Sequence, residues 1–307
     1  MMKNRKRLIP ILVFILLIIL AAWYFFLKRW DYKVIFTVPA HSSLAYTFIK
    51  DHRDWNGKTL KPEQIQFLQE EPWFHLQSEL DLQDTNYVFD WHLKQKNDSL
   101  TKISVGVMDK ERDLVNRLSI LLNKTDFEVS IRKNVTIIRD KIIERNKEFK
   151  YRYNGVDSIS EIPCVYIPMR SSVRQKADEM IRNVITINMF VKDNNLGLNG
   201  DPMVVVKNWT PLSDSIDFDF CFPILHPGLV PPNPDIKVGT VSCRKALNAD
   251  FFGNYSYSDY SWYRLFEKIQ KENLETSGRI IEVFYNDPHN GGDDHNWKAG
   301  IYMELQN

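Results

Sequence analysis

The sequence predicts an α+β protein in three parts: an N-terminal transmembrane helix, a sheet gripped by one long helix, and a duplicated β-α-β-β domain with pseudo-twofold symmetry. Three observations lead there. Leu8 to Leu27 carries no charge over about twenty residues, the length a helix needs to cross a bilayer core. Thr125 opens a stripe of Phe127, Ile131, Val135, Ile138 and Ile142 spaced for a long helix. The segments NNLGLNGDPMVVVKNW and ENLETSGRIIEVFYND each repeat a helix end followed by a β-run. At 307 residues the chain has room for an anchor, residues 1–30, and two ordinary domains, 31–150 and 155–307.

Lysine and arginine nearly balance the acids, for a formal net charge of +1, and no helix-turn-helix or basic arm is legible. Nucleic acid is therefore not an expected partner. Aromatic residues, 13% of the chain, suit large cores or ring-lined pockets.

In the apolar segment, Trp23 and Tyr24 fall near the end, where amphipathic rings favour a membrane interface. A cleaved signal peptide is the alternative. The apolar run is long for one, and the bulky Trp23-Tyr24-Phe25-Phe26 follows Ala21-Ala22 in place of a small-residue cleavage site. Lys3, Arg5, Lys6 and Arg7 precede the span and Lys28, Arg29 and Lys33 follow it. That excess predicts a single-pass protein with its N-terminus cytoplasmic and its body exported.

Between 31 and 150, Tyr32 to Val38 alternates as a strand, and Ser42-Ser43 caps a short helix through Ile49. Leu60 to Glu71 reads as partly helical. Trp73–Leu82, Tyr87–Lys94 and Leu100–Met108 then form an antiparallel meander, with turn residues between them. In its middle strand Phe89 and Trp91 share one face, Asp90 and His92 the other. Thr125-x-x-Glu128 is a capping-box pattern for the long helix that follows.

Glu148 to Ser158 is polar and turn-rich, the composition of a hinge. The first copy of the duplicated unit then has a strand Pro163–Pro168, caps at Ser171-Ser172, and a helix with Ala177, Met180, Ile181, Val184 and Ile187. Strands Pro202–Lys207 and Ser215–Phe222 complete it. The second copy has a strand Lys237–Cys243, a helix capped by Ser258 or Asp259, and strands Arg279–Tyr285 and Lys298–Leu305. Trp262, Leu265, Phe266 and Ile269 form that helix's apolar stripe. Two such units are expected to build one sheet with both helices on one side and a ligand cleft at the axis. The proline-rich crossover PILHPGLVPPNPD is a candidate rim or lid.

Glu282 is the one acid in the β-run from Arg279 to Tyr285. A carboxylate among Ile280, Ile281, Val283 and Phe284 loses solvation once the strand is covered, so it needs a cationic or hydrogen-bonding partner. The plain reading pairs it with Arg279 or Lys298; the functional one has a ligand supply the charge. Gly253, Tyr255, Trp262, Ser277-Gly278, Ile281-Glu282, Tyr285, Pro288 and the last strand, Gly300 to Leu305, together resemble the GyrI-like domain. That module is the effector-binding domain of AraC- and MerR-type regulators. The resemblance implies a small-molecule site for an amphipathic or cationic ligand, with Glu282, Tyr255, Tyr257, Trp262, Phe284 and Tyr285 as ligand-binding residues.

The first half, through VIFTVPAHSSLAYTFIKD and NRLSILLNKTDFEVSIRKNVTIIRDKI, resembles the START-like helix-grip fold of polyketide cyclases and lipid carriers. The leading expectation is a membrane-anchored, non-catalytic binding protein without a cofactor. The alternatives are a hydrolase using Glu282 with Tyr255 for general acid–base work, and lipid carriage by the first half. Cys164, Cys221 and Cys243 read as buried free thiols, a single disulfide being the alternative. The loop with His289, Asp293, Asp294 and His295 lacks a regular frame, and no metal is expected there.

Overall fold

The structure, a computed structural model, describes residues 12–20, 22–24, 28–82, 85–97, 99–111, 116, 118–120, 125–213, 215–288 and 291–306. The chain divides into two compact units, Met1–Ile143 and Glu144–Asn307. Within the apolar segment, residues 12–20 are helical and turn large hydrophobic side chains to solvent, Phe14 at 64%. Among the described residues no helix is long and apolar enough to cross a membrane. Leu8 to Ile11, Ala21 and residues 25–27 of the expected span lie outside them.

The first unit is built on a five-stranded antiparallel sheet: β1 (Tyr32–Val38), β4 (Ile65–Glu71), β5 (His75–Asp81), β6 (Asn86–Asn97) and β7 (Leu100–Asp109), in the order β1-β7-β6-β5-β4. Helix α1 (Ser42–Asp51) and a two-strand hairpin, β2 (Asp54–Trp55) with β3 (Lys58–Thr59), lie between β1 and β4. The segment Leu60 to Glu71 is helical only over the 3-10 turn Pro62–Gln64 and is otherwise mostly strand. That turn leads into β4, where the exposed Leu68 and a register shift between Phe67 and Gln69 interrupt the alternation of an amphipathic strand.

Helix α2 (Asp126–Arg145) begins as expected, with Thr125 Oγ1 accepting the Glu128 N–H at 3.1 Å. Its stripe of Ile131, Val135, Ile138 and Ile142 is buried, and Phe127 stacks on Tyr87 of β6 at 5.8 Å. Trp55, Phe89 and Trp91 fill the core of this unit, with ring centroids 4.5 and 6.1 Å apart.

In the second unit the element order is β8 (Phe149–Ser172), α3 (Lys176–Asp193), β9 (Met203–Val206), β10 (Ser215–Pro223), β11 (Lys237–Gly253), α4 (Tyr260–Lys271), β12 (Thr276–Phe284) and β13 (Lys298–Leu305). The strands do not form an open sheet. They close into a barrel, β10-β8-β11-β13-β12-β9, in which the four-residue β9 pairs with both β10 and β12. Register shifts along β11 bend it, the local twist that closure demands. Small and medium side chains fill the interior: Cys164, Met203, Val205, Cys221, Val241, Cys243, Ala246 and Ile281. All three cysteines are buried there as free thiols.

The expected hinge is a strand instead. Residues 149–158 are the first part of β8 and pair with β11 from Gly253 back to Ala246, solvated on the side that makes them look like a loop. Gly253 is held at φ 146°, and a Cβ there would lie 2.7 Å from Phe149 Cβ, so only glycine fits.

The two helices end alike. Asn195 and Asn273 both take φ 53°, and Leu196 and Leu274 each donate back five residues, to Val191 and Ile269, at 3.0 and 2.9 Å. This is the Schellman pattern with asparagine in the left-handed position. At the start of α4 neither Ser258 nor Asp259 caps with its side chain. Ser258 Oγ turns back to the Tyr255 carbonyl, 2.9 Å, and Asp259 pairs with Arg174 at 3.4 Å.

Candidate functional site

Glu282 is wholly buried, and the partner it needs comes from neither Arg279 nor Lys298. Those cations pair elsewhere, with Glu304 at 3.1 Å and Asp250 at 3.1 Å. Lys176, the first residue of α3 and only 2% exposed, places its ammonium on Glu282 Oε2. Trp262 Nε1–H donates to Oε1 at 2.8 Å. The Lys176 ammonium also reaches Ser258 Oγ at 2.8 Å and stands 4.7 Å from the centre of the Trp262 ring. Carboxylate, hydroxyl and indole face together make a complete shell for one buried cation. Both oxygens of Glu282 are thus engaged by the protein itself.

Beside this pair opens a cleft of about 390 Å³, within the range of small-molecule sites. Its rings are Phe220 and Phe222 of β10, Tyr255, Phe284 at the end of β12, and Tyr285 just after it. Met180, Ile181 and Val184 of α3 supply an aliphatic wall, which explains why only Ala177 and Ile187 of that helix's apolar stripe are buried. Two carboxylates line it, Asp201 and Asp287. They converge because β9 starts where antiparallel β12 ends, with the Phe284 N–H on the Pro202 carbonyl at 3.0 Å.

Tyr255 is fixed rather than free to swing. Its hydroxyl lies 2.9 Å from the Lys298 carbonyl and accepts the Asn286 N–H at 3.2 Å, and its ring tilts on Phe284 at 4.7 Å. Burial, followed by the negative charges of Asp201, Glu282 and Asp287, pushes its phenol up to about 12. It stays a neutral hydrogen-bonding group at any physiological pH, and the cleft around it is electronegative.

The structure therefore brings Tyr255, Phe284 and Tyr285 to the cleft. Glu282 and Trp262 lie buried beside Lys176, and Tyr257 lies apart, under the Arg145 guanidinium at 4.1 Å. Sequence reasoning did not identify Lys176, Asp201 or Asp287. One signal was present for the acids: an Asp-Pro pair precedes β9 and another follows β12. Nothing comparable marks Lys176, which meets Glu282 only through the tertiary fold.

Metal chemistry has two candidate groups among the described residues. Asp293, Asp294 and His295 bring ligand atoms together on an exposed turn; His289 lies outside the described residues. His75, Asp90 and His92 do the same in the first unit.

No family model matches the chain, and no curated protein matches it. Solved structures similar to it include the EcmrR C-terminal domain, at 15% identity and a TM-score of 0.43 over 52% of this chain and 98% of that one. SAV2435 bound to tetraphenylphosphonium is similar at 13% identity and a TM-score of 0.36, over 50% of this chain and 93% of that one. A hydrolase from Listeria innocua is similar at 9% identity and a TM-score of 0.34, over 50% of this chain and 92% of that one.

Proposed function

We propose that the second unit is a GyrI-like domain that captures an amphipathic, cationic small molecule without transforming it. The observation that carries the reading is the cleft itself: five aromatic residues and two carboxylates around about 390 Å³. Ring faces and nearby acids stabilise an organic cation by about 0.5–2 kcal/mol per ring, depending on how far it is desolvated. The ligand's charge is met by Asp201 and Asp287, because Lys176 already neutralises Glu282. That pairing leaves Glu282 no open oxygen for general acid–base work, so capture is favoured over hydrolysis.

A duplicated β-α-β-β origin is part of this proposal. Exchanging the first four elements of the unit for the last four maps the barrel's ring of strands onto itself, and the two Schellman ends correspond. Val204 stands to Glu282 as Asn195 stands to Asn273, and these two positions pair directly across β9 and β12. Two copies would then meet at the residue that carries the buried charge.

The first unit is proposed as START-like, supported by its order of strand, helix, antiparallel sheet and long closing helix. Its core rings fill the interior, which favours a structural or positioning role over lipid carriage. Residues 8–27 are proposed to anchor the chain in a membrane with the body exported, and nucleic acid has no part in the activity. Calorimetric titration of the purified chain with tetraphenylphosphonium and with neutral triphenylphosphine oxide tests the ligand class. The reading requires the cation to bind more tightly, and the preference to shrink in Asp201→Asn/Asp287→Asn. Equal affinity for both compounds would remove the electrostatic half of the proposal.

A further inference from the structure

Asp90 of β6 is only 2% exposed although it lies on the strand face opposite the core rings Phe89 and Trp91. Gly106, its register partner on β7, lies against the Trp30 indole: a Cβ there would fall 2.6 Å from the ring. Among the described residues the ion-pair partners of Asp90 are two imidazoles, with no lysine or arginine. His75 Nε2 lies 2.6 Å from Oδ1, and His92 Nε2 lies 2.9 Å from Oδ2. With no lysine or arginine beside it, this buried carboxylate depends on the two imidazoles to offset its lost hydration.

The two histidines are direct cross-strand neighbours on β5 and β6, and their rings stack at 4.4 Å with an angle of 8°. Cross-strand neighbours hold their Cβ atoms about 4.5–5.5 Å apart, close enough for both side chains to reach one ion. The three ligand atoms all lie within 4.8 Å of one another. Two imidazole nitrogens with one carboxylate oxygen are the donors that borderline first-row dications take.

We propose that His75, Asp90 and His92 form a binding site for a transition-metal dication such as Zn²⁺. Asp90 supplies the charge, and each imidazole moves its proton to Nδ1 and presents the Nε2 lone pair. His92, 59% exposed at its side chain, is the entry point, and its open side leaves a coordination position facing solvent. The hydrogen bonds to Asp90 stand where the metal bonds form, so the ion enters by a small spreading of the two stacked rings.

The test uses the full-length chain in detergent, stripped with chelator and titrated with Zn²⁺ by calorimetry and with Co²⁺ by visible absorption. His92→Ala removes an exposed ligand without opening the core. His295→Ala subtracts the exposed turn in the second unit. The proposal requires saturable one-to-one binding in the wild type and in His295→Ala, weakened by at least about tenfold in His92→Ala. Asp90→Asn, which keeps the side chain's shape, is required to weaken it likewise. Absence of saturable binding, or binding that His92→Ala leaves intact, overturns it.

Discussion

Lys176 and Glu282 form an ion pair sealed inside the second unit, the lysine 2% exposed and the glutamate 0%. Trp262 completes it with an N–H to one oxygen and a ring face to the ammonium. Lys176 and Trp262 thus occupy both oxygens of Glu282 with the protein's own donors, and leave Asp201 and Asp287 as the carboxylates that line the cleft.

A buried pair costs most when one partner is lost. Lys176→Met or Glu282→Gln alone is expected to destabilise by about 3–5 kcal/mol, since each leaves an uncompensated group in a dry site. The double variant Lys176→Met/Glu282→Gln should cost well below the sum. A denaturant-melting cycle reads this; additive costs would mean that the two side chains do not interact.

Tyr255 is expected to remain protonated long after other phenols ionise. Its folded value, about 12, exceeds the ordinary 10.0, so the neutral form favours folding. That contribution is full below pH ~10 and is lost as pH rises through about 12. Ultraviolet titration of wild type against Tyr255→Phe should show no difference in tyrosinate absorbance below about pH 10. At neutral pH the variant loses about 1 kcal/mol for the hydroxyl's hydrogen bonds.

Asp250 gives the opposite dependence. Burial alone would raise its carboxyl, but the hydrogen bonds from Arg152 and Lys298 outweigh it and hold the group below its ordinary value. The stabilisation is present above the unfolded value, near pH ~4, and is lost as pH falls through the folded one. Asp250→Asn is therefore expected to melt below wild type at pH ~7, with the gap closing progressively in acid below about pH 4. A gap that persists unchanged in acid would show that packing, rather than charge, holds this residue.

Asn195 and Asn273 end their helices in the left-handed region. Replacing either by alanine should cost about 1 kcal/mol, and replacing it by glycine almost nothing, because the strain lies in the Cβ and the backbone bonds remain. Matching costs at the two positions, measured by thermal melting, would support the duplicated origin; a large cost at one alone would count against it.

Local pattern revealed much of this fold. The strand Tyr32–Val38 and the stripe of α4 follow from alternation and helical spacing, and both are found. What sequence hid was set by distant partners. Residues 149–158 look like a hinge because only Phe149 stacks on core rings, while Tyr151 and Tyr153 pack under the long cations Arg264 and Lys268. Closure of the barrel depends on β9, four residues that pair on one side with the next strand, β10, and on the other with β12, far along the chain. The need of Glu282 for a cation was legible from its apolar surroundings. Its source was not, since Lys176 stands at a helix start where a lysine ordinarily faces water.

The most direct test of small-molecule capture is a calorimetric titration of tetraphenylphosphonium into wild type and into Val184→Trp, which fills the cleft from the α3 side. The account predicts one saturable site in wild type and its loss in the variant, with the melting temperature retained. Equal binding by a folded Val184→Trp would place the ligand elsewhere and contradict it.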